Sequence, residues 1–214
     1  MKRDVLQTLM DQKIVAIVRG VATSNIVDLV NAMEKGGMTC VEITFDQSSA
    51  EKMEETLASL RRIANECPHV CVGAGTVMTV EQVRLAVEAG AEYIISPNVD
   101  EAVIRETKRL GKISIPGAMT ATEVAFAHRC GADIVKMFPA GILGPDYIKA
   151  IKAPLKHIPI TAVGGVTVEN CAEFIKAGAI GVAVGGNLVS PALVKSGKFD
   201  EITAIAKAYV DALR

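Results

Sequence analysis

Eight short β-branched runs recur along this chain with amphipathic stretches between them, and that alternation restricts the fold more than any other feature. The runs are KIVAIVR (13–19), CVEITF (40–45), HVCVGAG (69–75), YIISP (93–97), KISIPG (112–117), DIVKMF (133–138), PITAVGG (159–165) and GVAVGG (181–186). Between them, SNIVDLVNAMEKGG, SAEKMEETLASLRRIANE and TVEQVRLAVEAG return an apolar residue every three or four positions, the mark of helices packed on one face, and glycine stops are expected at their ends. Thr79 before Gln82 and Thr120 before Glu123 have the capping-box form. Consecutive strand–helix units demand parallel pairs with right-handed crossovers. Eight of them lead to an α/β fold, a single (β/α)8 TIM barrel, with an extra helix over roughly Arg3 to Asp11 closing its bottom. The competing open, doubly wound sheet calls for a GxGxxG turn after the first strand, and the turn here is RGVATSN. No linker or composition shift divides residues 1–214, so one domain is expected.

Charge and cysteine usage narrow the function classes. With 23 basic and 24 acidic residues the net charge is -1, and aromatics are only 4% with no Trp, so neither a basic footprint nor a stacking surface argues for nucleic acid. The five cysteines (Cys40, Cys67, Cys71, Cys130, Cys171) lack zinc spacing and read as thiols of a reducing compartment. No segment approaches a membrane span, and MKRDVLQTLMDQK has no long apolar core, so a cytoplasmic protein with no membrane partner is expected. His69, His128 and His157 are scattered and read as structural, and no serine sits in a GxSxG elbow.

In a barrel the chemistry lies where strands end at their C-terminal side. Two charges stand inside apolar strands: Lys136 in DIVKMF and Glu42 in CVEITF. Strand period two puts Ile134, Lys136 and Phe138 on one side and Val135 and Met137 on the other, and it puts Glu42 with Thr44 between Val41 and Ile43. If both charges enter the lumen, each makes the other explicable. The alternative is a structural buried ion pair, an arrangement often no more stable than apolar packing. Lowering a lysine pKa from ~10.4 to about 7 takes around 4–5 kcal/mol of differential solvation, and an apolar pocket can supply it. A neutral amine there attacks a carbonyl to give a Schiff base.

The seventh and eighth strands end in AVGGV and VGGN, placing Gly164, Gly165, Gly185, Gly186 and Asn187 where barrels frequently bind phosphate; tight turns alone would explain each pair but not their shared position. Arg19 ends the first strand and Thr76 closes GAGT, so both are candidates to hold a carboxylate, with a surface salt bridge or a helix cap as the plain alternative.

Taken together, VEIT, GAGTV, ISPN, IPGAMTATE, VKMFPAG, GPDYIKAI, AVGGV and VGGN make the chain, from Ile14 to about Ala208, resemble the class I aldolases that cleave 2-keto-3-deoxy-6-phosphogluconate and 4-hydroxy-2-oxoglutarate. The resemblance implies a trimeric barrel with no metal and no cofactor beyond a covalent lysine Schiff base. It implies Lys136 as the Schiff-base residue for pyruvate and Glu42 as the proton shuttle. Thr76 would hold the pyruvate carboxylate, Pro97 and Phe138 would line the substrate site, and the two glycine pairs would bind the distal phosphate. One departure stands out: phosphogluconate-type members carry an arginine four residues after the VEIT glutamate, where this chain has Asp46. In that respect, and in its AIVRG first strand, it looks closer to 2-keto-3-deoxy-6-phosphogalactonate aldolases, with Arg19 supplying the positive charge.

Overall fold

The computed structural model describes residues 4–214. Nine strands run parallel: β1 (Ile14–Val18), β2 (Cys40–Thr44), β3 (Cys71–Gly75), β4 (Tyr93–Ile95), β5 (Ile113–Ile115), β6 (Gly117–Ala118), β7 (Val135–Met137), β8 (Ile160–Val163) and β9 (Gly181–Val184). They pair in the order β5-β4-β3-β2-β1-β9-β8-β7-β6. The ninth is the fifth expected strand cut in two. Pro116 has no N–H to give to a ladder, so β5 pairs with β4 and β6 pairs with β7 on either side of it. The ring still closes through this segment, because the Pro116 carbonyl accepts from Lys136 N at 2.8 Å and Ser114 O from Ile134 N at 3.4 Å. The result is a TIM barrel.

Helix starts follow their local chemistry. Thr120 and Glu123 form a reciprocal capping box. Thr79 accepts from Gln82 N as expected, but the Gln82 side chain reaches one residue further back and accepts from Met78 N at 2.8 Å. Helices Ile26–Lys35 and Val80–Glu88 run out into glycines with positive φ, Gly37 and Gly90. Helix Ala50–Glu66 departs from the expected glycine stop: it ends at Cys67, ahead of Pro68, which cannot continue it. The N-terminal helix spans Val5–Gln12, and Arg3, where it was expected to begin, lies outside the described residues.

Strand alternation separates two apolar layers. Residues such as Ile14, Ala16, Val41, Ile43, Val135 and Met137 face the helices in the larger cluster. Val15, Cys40, Cys71, Tyr93, Ile95, Ile115, Ile134, Val163 and Ala183 fill the lumen, joined from below by Leu9 of the first helix. That helix is the floor of the barrel. All five cysteines are buried and none is in a disulfide.

Candidate active site

The lumen changes character halfway up. Below, its packing leaves a cavity of about 20 Å³, room for roughly one water, lined by Leu9, Val15, Ile95, Ile115, Ile134 and Val163 and reaching Lys136. Above, an open cleft of about 330 Å³ is bounded by Arg19, Glu42, Thr76, Pro97, Lys136, Phe138, both glycine pairs and Asn187. Lys136 is therefore the border between a dry floor and a polar mouth. Every residue expected at the site lines this one cleft, while His69, His128 and His157 do not.

Glu42 and Lys136 are 2% and 8% exposed. Burial pushes the Glu42 carboxyl above the ordinary glutamate value, opposed by the charges of Lys136 and Arg19 and by a hydrogen bond from Thr44 Oγ1 at 3.4 Å. Burial likewise holds the Lys136 amine below the ordinary lysine value, Glu42 drawing it back up and Arg19 pressing it further down. Both groups thus lean towards their uncharged forms, the states in which an amine is nucleophilic and a carboxyl can deliver a proton. Glu42 Oε2 is buried with no hydrogen-bond partner. The Lys136 amine lies 5.0 Å from the centroid of the Phe138 ring, which stands over it on the same strand face.

Room for the carboxylate comes from the neighbouring strand. Glu42 stands in register with Gly73, and a Cβ on Gly75 would overlap the Glu42 carboxylate, while one on Gly73 would strike the Tyr93 ring. GAGT is thus a pair of lumen-facing gaps followed by Thr76, which lines the cleft. These two glycines were missed in the sequence reading. The signal was present, since period two along CVGAG leaves only Cys71 and the two glycines on the face that Glu42 shares.

Around the mouth, Arg19 Nη2 donates to Thr76 Oγ1 at 3.4 Å. Asp46 does not enter the cleft; its Oδ1 accepts from Ser48 N at 2.9 Å, and those bonds hold its pKa below the ordinary range. It faces a separate polar groove with Lys52 and Glu55. The two glycine loops are braced from behind. Gly164 and Gly165 take left-handed φ of 87° and 74°, which glycine adopts freely. Gly141 N donates to Gly164 O at 2.7 Å and Asn170 Nδ2 to Gly165 O at 3.1 Å. Asn187 Nδ2 and Tyr209 Oη both donate to Val166 O, at 3.2 and 3.3 Å. One N–H of the Asn187 amide ties one glycine loop to the other, and the residue lines the cleft as expected.

A parallel barrel whose top carries a desolvated lysine and a buried carboxyl with a raised pKa in one cleft defines a lyase of the Schiff-base type, working on a carbonyl compound. The comparisons with known proteins agree. A family model described as "Aldolase: KDPG and KHG aldolase" matches residues 5–205, and the chain belongs to that family of carbon–carbon lyases. It is 34% identical over 202 residues, 94% of this chain and 96% of the relative, to 2-dehydro-3-deoxy-6-phosphogalactonate aldolase of Escherichia coli (strain K12). It is 32% identical over 205 residues, 95% and 94% of the two chains, to 2-dehydro-3-deoxy-phosphogluconate aldolase of Treponema pallidum (strain Nichols). Among solved structures, native KDPGal superposes with a TM-score of 0.83 at 34% identity, covering 93% of each chain.

Proposed function

We propose that this chain is a class I aldolase that reversibly splits a phosphorylated 2-keto-3-deoxy sugar acid, of the 6-phosphogluconate or 6-phosphogalactonate type, into pyruvate and glyceraldehyde 3-phosphate. The observation that carries the reading is the burial of Lys136 and Glu42 in one cleft, each shifted towards its neutral form. The Lys136 amine adds to the C2 keto carbon, and loss of water gives the iminium. That cation withdraws the electron pair of the C3–C4 bond as the C4 hydroxyl loses its proton, so the aldehyde departs and an enamine remains. Glu42 accepts and returns protons in these steps, reaching the C4 hydroxyl through a water. The enamine is protonated at C3, and water then releases pyruvate and frees the lysine. No cofactor enters this scheme.

Arg19 and Thr76 bind the carboxylate end, Pro97 and Phe138 wall the middle, and Gly164, Gly165, Gly185 and Gly186 receive the distal phosphate, with Asn187 bracing their loops. Residues 1–214 act as one aldolase domain. We assign a homotrimer in the cytoplasm. Exposed Met119, Phe126 and Ile142, the last 83% exposed, offer apolar surface for assembly, and five buried cysteines outside any disulfide suit a reducing compartment. No helix among the described residues is long and apolar enough to cross a membrane.

The test is turnover on the gluconate and galactonate C4 epimers and on unphosphorylated 4-hydroxy-2-oxoglutarate, side by side. Preference for a phosphorylated epimer is expected from the glycine loops. Preference for 4-hydroxy-2-oxoglutarate would remove their phosphate role, and no cleavage of any of the three would remove the reading.

A further inference from the structure

Thr76 has the most unusual backbone of the site. A β-branched residue rarely takes a left-handed conformation, yet its φ is +54°. Such a conformation persists only where the surroundings over-determine it. Here Thr76 is held by Gln47, which Gln82 holds in turn, and neither glutamine lines the cleft. Gln47 Nε2 donates to the Thr76 carbonyl at 2.7 Å, and Gln82 Nε2 donates to Gln47 Oε1 at 2.7 Å. Gln82, only 6% exposed, accepts from Met78 N at 2.8 Å and begins the helix capped by Thr79.

The direction of this chain of bonds is fixed at its buried end. A backbone N–H can only donate, so the Gln82 oxygen faces Met78 and its NH2 faces Gln47. The Gln47 oxygen must then accept, which leaves its NH2 for the Thr76 carbonyl. On the other side of the same residue, the Thr76 hydroxyl accepts from Arg19. The relay therefore starts in the helix layer and ends at the cation of the cleft.

We propose that Gln47 and Gln82 are positioning residues of the active site, a directional amide relay that holds Thr76 in its left-handed conformation and so aims its hydroxyl and Arg19 at the carboxylate of the bound keto acid. The inference rests on the reading of the cleft as a pyruvate-forming Schiff-base site. Gln47→Ala removes the donor to Thr76 at an exposed position and leaves the Gln82 NH2 its 3.8 Å contact with Met53 Sδ. Gln82→Glu is nearly isosteric and still accepts from Met78. Its second oxygen can only accept too, so the Gln47 amide turns over and sets oxygen against the Thr76 carbonyl.

The experiment is borohydride trapping on Lys136 over a series of pyruvate concentrations, read by mass spectrometry of the Lys136 peptide. In Gln47→Ala the half-saturating pyruvate concentration should rise roughly tenfold, the scale of one lost hydrogen bond, with the trapping rate at saturation unchanged. Gln82→Glu should move in the same direction. In a Thr76→Val background, Gln47→Ala should add less than about a twofold further rise, because the hydroxyl it aims is already gone. An unmoved half-saturation in Gln47→Ala, or losses that simply multiply in the double variant, would overturn the relay while leaving the Schiff-base site intact. Absence of any Lys136 adduct in the parent protein would overturn the site itself and the relay with it.

Discussion

The two halves of the barrel lumen are built from the same strands and behave as different solvents. The lower half is closed by Leu9 and filled by Val15, Ile95, Ile115 and Ile134; the upper half holds Glu42, Lys136, Arg19 and Thr76 around an open cleft. The comparison teaches that the floor is part of the chemistry. An ammonium placed one strand step above an apolar layer with room for roughly one water is poorly hydrated from below, which fits burial being the largest influence on both Lys136 and Glu42.

The hardest test of this division is to remove the charge at the border. Lys136→Met should abolish turnover, by on the order of 10⁴-fold or more, with the circular dichroism spectrum retained; substantial residual activity would place the nucleophile elsewhere. Glu42→Gln should lower turnover by about 10²–10³-fold and slow pyruvate trapping on Lys136 less, because trapping does not require the C4 hydroxyl to lose its proton. Equal loss of both readouts would contradict that difference.

Next in size is an attack on the floor itself. Leu9→Ala should cost about 2–4 kcal/mol in urea unfolding. By admitting water beneath Lys136 it should also raise that lysine's pKa, moving the acid limb of the pH–rate profile to higher pH. A stability loss with an unmoved profile would show that the floor supports the fold but not the amine.

The smallest effect is linkage. The folded pKa of Lys136 is depressed, so its burial costs stability fully below that pKa, and the cost disappears as pH rises towards the ordinary value of 10.5. In that window the unfolded state binds the extra proton, so stability should climb by up to about 1.4 kcal/mol per pH unit in the parent, and this contribution should be missing in Lys136→Met. Urea midpoints across the alkaline range read the difference.

Most of this division was legible in the sequence because strand alternation is a local rule. A lysine between Val135 and Met137, and a glutamate between Val41 and Ile43, must share a face with Ile134 and Thr44 once the elements are strands. The barrel followed from the repeated strand–helix units. What stayed hidden depends on distance in sequence. Gly75 makes room for Glu42 across a strand pair, and Gln82 reaches Gln47 over 35 positions, a contact with no periodic signature. The break at Pro116 was visible in KISIPG, but its consequence, one strand serving two neighbours in two pieces, emerges only from closing the ring.

The claim that carries the rest is that desolvation holds the Lys136 amine below the ordinary lysine value. Its rate of pyruvate adduct formation, followed by borohydride trapping and peptide mass spectrometry as a function of pH, measures this directly. The account predicts adduct on Lys136 alone, with a midpoint below the ordinary lysine value of 10.5. A midpoint at that ordinary value, or labelling spread over exposed lysines, would contradict it.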